Sequence, residues 1–418
     1  MSLIIFGIIL FAFLGVPLFS IIAATSMVLF NSESIDVSVV IVEFYRLSNA
    51  SVLIAIPLFT FSGFLLAESK TPERLVNFSR SLFGYFPGGF AIVTLISCAI
   101  FTALTGASGV TIVAIGGLLF PILLKENYSE KFSLGLITTS GSLGLLFPPS
   151  LPIILYGLIA NISIDKLFIA GIFPGIILII ALSIYSIFYA RKNKIETYKF
   201  EIKKVFQSLN EIKWEIPLPF LVLGGIYGGY FTAIEASSFT AVYVIIVEIF
   251  IYRDLQISQL PKIMRESMML VGVLIIILGS SMGLTNYLID TEVPTKLFEI
   301  IKTFISNKFL FLMLLNLFLI VVGMMMDIFS AIIVVVPLII PIAKFYGIDP
   351  IHLGIVFLTN LEIGYLTPPV GLNLFISSFR FEKNIGTVVK SVLPFILILL
   401  IALLIITYIP EFSLFFVE

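Results

Sequence analysis

Apolar positions along the 418 residues fall into long continuous runs, and polar positions gather in short clusters between them. Runs such as Leu3 to Phe30, Phe168 to Ala190 and Phe395 to Ile409 approach or exceed the roughly 20 residues with which a helix crosses a hydrocarbon core of about 30 Å. The continuity argues against a transmembrane β-barrel, whose segments of about ten residues alternate. The first run lacks a basic start and a small-residue cleavage site, so it reads as a span and not as a signal peptide. The pattern predicts an all-α polytopic membrane protein.

One extended hydrophilic stretch interrupts the pattern, Arg191 to Glu215, with Arg191, Lys192, Lys194, Lys199, Lys203, Lys204 and Lys213. Val205, Leu209, Ile212 and Ile216 follow a helical spacing, which predicts an amphipathic surface helix. The basic charge assigns this segment to the cytoplasm. A second basic connection around Arg253, Lys262 and Arg265 follows two apolar segments, Ile216 to Phe231 and Ile234 to Tyr252, and two crossings return the chain to the same side. The stretch divides the chain into a first repeat (1–190), a linker (191–215) and a second repeat (216–418). Pro121 precedes Pro148-Pro149 by 27 positions, and Pro341 precedes Pro368-Pro369 by the same 27. At this offset of 220, PILLKENYSEKFSLGLITTSGSLGLLFPPSLPIIL lies over PIAKFYGIDPIHLGIVFLTNLEIGYLTPPVGLNLF, with Gly144 on Gly364, Thr139 on Thr359 and Ser140 on Asn360. Upstream, TPERLVNFSRSLFG resembles VPTKLFEIIKTFIS once a two-residue gap is allowed. Internal repeats of this kind mark secondary transporters, whose sites lie at the repeat interface.

Each repeat carries two interruptions of its apolar pattern. Thr105-Gly106-Ala107-Ser108-Gly109, with Thr111 close behind, lies in a hairpin at about 89–124. Its counterpart, Gly323-Met324-Met325-Met326-Asp327, lies in a hairpin at about 309–342. The arms have the length of a re-entrant hairpin. The second interruption runs from Ser140 through Ser142 and Gly144 to Pro148-Pro149, in a broken helix at about 132–160. Its partner runs from Asn360 through Glu362 and Gly364 to Thr367-Pro368-Pro369, at about 351–380. Proline lacks an N–H and biases its predecessor away from helix, which frees carbonyls. Irregular backbone at membrane depth survives where protein or a water-filled cavity satisfies it. Freed carbonyls and hydroxyls are hard oxygen ligands suited to Na⁺, while helix N-termini suit a carboxylate. Glycine and proline also kink tightly packed spans without any further role, but four breaks in repeat-related pairs favour a site.

Among single residues Asp327 stands out, because a carboxylate within an apolar run costs about 2.5–3.5 kcal/mol on insertion scales. It reads as a cation ligand or compensating charge ahead of a snorkelling or helix-capping Asp. Glu362 lies beside the last break, with binding and structural roles equally weighted. Glu235 reads as a bend or interface residue, His352 as an ordinary turn residue after Asp349-Pro350, and Cys98 as a small core hydrophobe.

Composition narrows the function. The chain is 59% hydrophobic and 12% charged, with a net charge of −1 that gives no reason to expect nucleic acid. A single Cys and a single His leave no disulfide framework, thiolate cluster or His-centred triad, so an enzyme has little to work with. With Trp214 as sole tryptophan, the interfacial belt rests on Tyr and Phe.

At these motifs the chain resembles a known family. TGASGVTIVAIGGLLFP, SGSLGLLFPPSLPIILYG, AGIFPG, GGYFTAIEA, GMMMD and IGYLTPPVGLNLF resemble the large membrane subunit (M, DctM-like) of tripartite ATP-independent periplasmic (TRAP) transporters, over essentially the whole chain. The resemblance implies an inverted-repeat, elevator-type secondary transporter with two re-entrant hairpins and two broken helices, driven by Na⁺ and located in the bacterial inner membrane. It implies two partners, a separate small four-helix membrane subunit (Q-type) and a periplasmic substrate-binding protein that delivers a carboxylate, such as a sialic or other sugar acid or a C4-dicarboxylate. Carried over by motif, the ion and substrate positions are Thr105, Gly106, Ser108, Gly109, Thr111, Ser140, Ser142, Gly144, Pro148, Gly323, Asp327, Asn360, Glu362, Gly364, Thr367 and Pro368, with Na⁺ at Ser108, Ser142, Asp327 and Asn360. Many members follow the first tip with an acidic residue; this chain has Gly109 and Thr111 there. A self-sufficient Na⁺- or H⁺-coupled anion carrier and a channel remain alternatives, though paired breaks suit alternating access better than a continuous pore.

Overall fold

A computed structural model describes residues 16–46, 51–197, 200–293, 296, 299, 305 and 307–417. Part of the first apolar run (3–15) and most of the segment 293–306 lie outside these residues. The described residues form helices joined by short turns, with no strand among them. In chain order the helices are α1 (Leu18–Ser32), α2 (Ser38–Arg46), α3 (Ala55–Glu68), α4 (Thr71–Phe83), α5 (Gly89–Thr105), α6 (Ser108–Lys125), α7 (Glu130–Ser140), α8 (Leu151–Ala160), α9 (Ile164–Lys192) and α10 (Ile202–Glu211). Then come α11 (Pro217–Tyr227), α12 (Ala233–Ile245), α13 (Leu260–Asp290), α14 (Lys308–Met325), α15 (Ile328–Phe345), α16 (Pro350–Gly364), α17 (Leu372–Arg380), α18 (Ile385–Tyr408) and α19 (Glu411–Leu414). Among the described residues seven helices are long and apolar enough to cross a bilayer, and a further pair, Glu130–Leu146 and Leu151–Ala160, passes together with a bend of 44°.

The helix starts are written into the sequence. Ser129 caps α7 by accepting from the Phe132 N–H at 3.2 Å, and Ser163 caps α9 through the Lys166 N–H at 3.3 Å. Asn307, Asp349 and Asn384 cap α14, α16 and α18 in the same way. Glu235, expected at a bend or interface, is the third residue of a capping box with Thr232 that starts α12.

The helices recur at the offset of 220. α6 (108–125) falls on α15 (328–345), the start of α7 falls on that of α16, and α8 begins one residue from the position matching α17. Packing recurs as well. α1 lies on α13 as α3 lies on α12; α6 lies on α17 as α15 lies on α8; α7 lies on α18 as α16 lies on α9. Each hairpin's second arm therefore rests on the end of the other half's broken helix.

His352 departs from its reading as a turn residue. It lies in the first turn of α16 with 1% of its surface exposed, and its ring nitrogens are 3.2 Å from Ser413 Oγ and the Thr407 carbonyl. Asp349 and Pro350 start a helix there, and α18 and α19 cover that first turn. Cys98 is fully buried.

The linker is fastened by a charge cluster. Arg74, on α4, pairs with Glu215 through Nε, reaches Asp254 at 2.5 Å and Glu248 at 3.2 Å, and lies 3.9 Å above the Tyr252 ring. Burial pushes the Glu215 carboxyl above the usual carboxylate range, against the opposing pull of the Arg74 guanidinium. α10 joins α4 through a 2.7 Å bond between Ser208 and Ser81.

Candidate functional site: the paired helix breaks

The first break is a closed, neutral cluster. α5 ends on Gly106, whose φ of +69° suits glycine and whose added Cβ would meet Leu151 at 2.7 Å. α6 restarts at Ser108 after Ala107, which offers no side-chain cap. Ser108 Oγ donates to Asn373 Oδ1 on α17 at 2.9 Å, and Asn373 Nδ2 reaches the Thr138 carbonyl on α7 at 3.4 Å. Thr138 Oγ1 donates to Ser377 Oγ at 2.9 Å. Beneath the tip, Thr102 Oγ1 lies 2.7 Å from Thr111 Oγ1 and 2.9 Å from the Gly141 carbonyl, one of the groups freed where α7 stops. Thr105 turns its hydroxyl back onto the Phe101 carbonyl, and Gly109 lets Ile376 of α17 approach.

Beyond α7, Ser140 and Ser142 bond to the Ile137 and Thr139 carbonyls, and a short 3₁₀ turn, Leu143–Leu146, leads to Pro148-Pro149. A Cβ on Gly144 would lie 2.2 Å from the Ala99 carbonyl, so α5 and this turn pack backbone to backbone. Pro148 is buried.

The second break carries charge. Asp327 is the N-cap of α15: Oδ1 accepts from the Phe329 and Ser330 N–H groups at 3.0 Å each, and Oδ2 from the Ser330 hydroxyl at 2.5 Å. The structure thus gives Asp327 the capping role that the sequence reading ranked second. The Ile328 N–H donates to the buried Tyr365 hydroxyl at 2.6 Å. Gly323 and Gly364 are brought together, an added Cβ on Gly364 lying 2.5 Å from the Gly323 Cα. Asn360 Nδ2 donates to Asn316 Oδ1 and to the Val356 carbonyl, both at 2.8 Å, while its own Oδ1 is buried without a donor. Glu362 is 2% exposed, and its Oε1 likewise has no partner. Thr367 bonds back to Ile363, and Pro368 is exposed. Both Pro-Pro bonds are cis.

Among the described residues no hydrogen bond joins any two of Ser108, Ser142, Asp327 and Asn360. Ser108 belongs to the cluster with Asn373, Asp327 to the cap with Ser330, and Asn360 to a pair with Asn316. The structure adds Thr102, Thr138, Asn373 and Ser377 to the first cluster and Tyr365 to the second. Asn373 sits in the GLNLF segment behind the second Pro-Pro pair, where its polarity on a short amphipathic helix was the available signal. The donors are all hard oxygen and amide groups. The orphaned Asn360 Oδ1 and Glu362 Oε1 fit a small hard cation or a proton better than a soft metal.

A polytopic helical bundle with paired breaks at a fixed offset defines a membrane permease of the secondary-transporter class. The pattern that defines the family "Tripartite ATP-independent periplasmic transporter, DctM component" matches residues 5–412, and the chain belongs to that family. It is 34% identical over 392 residues to the C4-dicarboxylate TRAP transporter large permease protein DctM of Pseudomonas aeruginosa, covering 94% of this chain and 91% of that protein. It is 34% identical to the isethionate TRAP transporter permease protein DctMQ of Oleidesulfovibrio alaskensis, over 97% of this chain and 65% of that protein. It is 31% identical to the ectoine TRAP transporter large permease protein TeaC of Halomonas elongata, over 87% and 85% respectively. In fold it resembles the Alcanivorax borkumensis YdaH transporter, with a TM-score of 0.61 at 13% identity over 89% of this chain and 87% of that one.

Proposed function

We propose that the chain is the large permease of a Na⁺-coupled TRAP transporter that takes up a small organic anion across the bacterial inner membrane. A periplasmic binding protein delivers the solute, and a small four-helix membrane subunit completes the complex. The relatives' names join a dicarboxylate, a sulfonate and a carboxylated zwitterion, and their shared feature is a small solute with an acidic group. The observation that carries the reading is the pairing of the four breaks at one offset. Each break interrupts the helical ladder and gathers backbone groups or oxygens at the ends of apolar helices, where an ion and an anion compete favourably with hydrocarbon.

In this reading residues 1–190 and 216–418 form inverted repeats joined by a cytoplasmic linker at 191–215, and the tips of α5–α6 and α14–α15 are re-entrant. Oxygens of Ser108, Ser142, Asp327 and Asn360 would hold Na⁺, which supplies the coupling charge. The neutral first break, where α6 begins without a side-chain cap, offers free amide groups to the solute's acidic group. The regions containing the breaks move against the remaining helices as an elevator.

The test is uptake into proteoliposomes holding this chain and its small subunit, with a panel of labelled organic acids and an imposed Na⁺ gradient. Uptake that requires both Na⁺ and the cognate binding protein is expected. Na⁺-driven uptake without any binding protein, or flux independent of the gradient, would overturn the reading.

A further inference from the structure

A second feature lies behind the first break. A cavity of about 540 Å³ is walled on one side by α5 and α9, with Ala103, Phe147 and Ile176, and on the other by α4, the linker end and α11, with Leu75, Ile212 and Leu223. That volume is in the range of ligand sites, yet its walls are almost wholly apolar, Thr71 and Glu215 being the polar residues among them. Its mouth is continuous with the outer face of two apolar helices. Ile180, Ile184 and Phe188 carry the exposed face of α9 onward from Ile176 at 53%, 63% and 66%, and Phe220 of α11, which lines the cavity, is 71% exposed. α9 is among the helices long enough to cross the bilayer, so the medium at this mouth is hydrocarbon.

We infer that this crevice is a binding site for one acyl chain of a bilayer phospholipid, held between α5 and the first Pro-Pro break on one wall and α4 and α11 on the other. An empty apolar space of this size leaves its lining without dispersion partners, and water finds few hydrogen-bonding groups there. The small side chains Ala99 and Ala103 leave room in the slot, and the aromatic ring of Phe147 adds to its apolar lining. Where the elevator reading holds, a fluid chain in this position lets the two walls slide past each other without opening a void. That consequence rests on the proposed function, whereas the site itself rests only on the membrane location.

The experiment uses the sole tryptophan. In a Trp214→Phe background, Ile100→Trp places a reporter on the crevice wall and Phe188→Trp places one on the outer face of α9. The full chain is reconstituted in nanodiscs of phosphatidylcholine with brominated acyl chains, which quench neighbouring indoles. The expected result is quenching of the Ile100→Trp reporter to the level of Phe188→Trp, lost when Ala103→Phe is added to fill the slot. Leu223→Trp, on the opposite wall, serves as a second reporter where Ile100→Trp fails to fold. Reporters that stay unquenched would overturn the inference and leave the space dry. Na⁺-coupled uptake is measured separately, so failure of the lipid site and failure of the transport reading remain distinguishable.

Discussion

The two hairpin tips share their helix ends but differ in backbone and in chemistry: the first arm closes on Gly106 in the left-handed region (φ +69°) and its counterpart on Met326 in extended backbone (φ −123°). Ala107 and Asp327 occupy the same position at the offset of 220, each the N-cap of its hairpin's second arm. In the first tip that position is a methyl group; the arm is tied to the other half by Ser108 and Asn373, and the following Pro148-Pro149 is buried. In the second tip the position is a carboxylate closed on its own helix, Met325 beside it is 65% exposed, and Pro368 and Pro369 are exposed. Ser108 has Ile328 as its mate, and Asn373 has Ile153. The comparison teaches that a repeat preserves helix ends and close backbone contacts, such as Gly323 against Gly364, while the polar groups at its two tips differ.

The largest effect is expected from Asn373→Leu, which strands the Ser108 hydroxyl and the Thr138 carbonyl at a cost of about 1–3 kcal/mol, read as a fall in the thermal unfolding midpoint in detergent. Replacing its repeat mate, Ile153→Leu, should cost less than about 1.5 kcal/mol, and equal effects at the two sites would erase the asymmetry. Smaller still is the cap. Asp327→Ala should lose about 1 kcal/mol of stability, while Asp327→Asn, which keeps an accepting oxygen, should lose only a few tenths.

Much of the fold was legible because breaks are local. Gly106, the two Pro-Pro pairs and the offset of 220 announce themselves in short windows, since proline and glycine act on their immediate neighbours. The contacts that close the first cluster were not legible, because Ser108 and Asn373 are 265 positions apart and a polar side chain in an apolar helix has no marked partner. Arg74 was hidden for the same reason, with Glu215 and Asp254 lying 141 and 180 positions away. His352 misled because Asp-Pro reads equally as a turn and as a helix start, and only the packing of α18 and α19 decides between them. Asp327 was legible as an unusual charge, but a cap and a ligand need the same residue at the same place.

The central claim is that the charged tip binds the coupling cation, and it is tested most directly by the Na⁺ dependence of uptake in Asp327→Asn. That variant keeps the cap and removes the charge. The account predicts a normal unfolding midpoint together with a half-saturating Na⁺ concentration raised about tenfold or more, the equivalent of about 1.4 kcal/mol of lost cation binding. An unchanged Na⁺ activation curve in a folded, active variant would contradict it, leaving Asp327 as a helix cap alone.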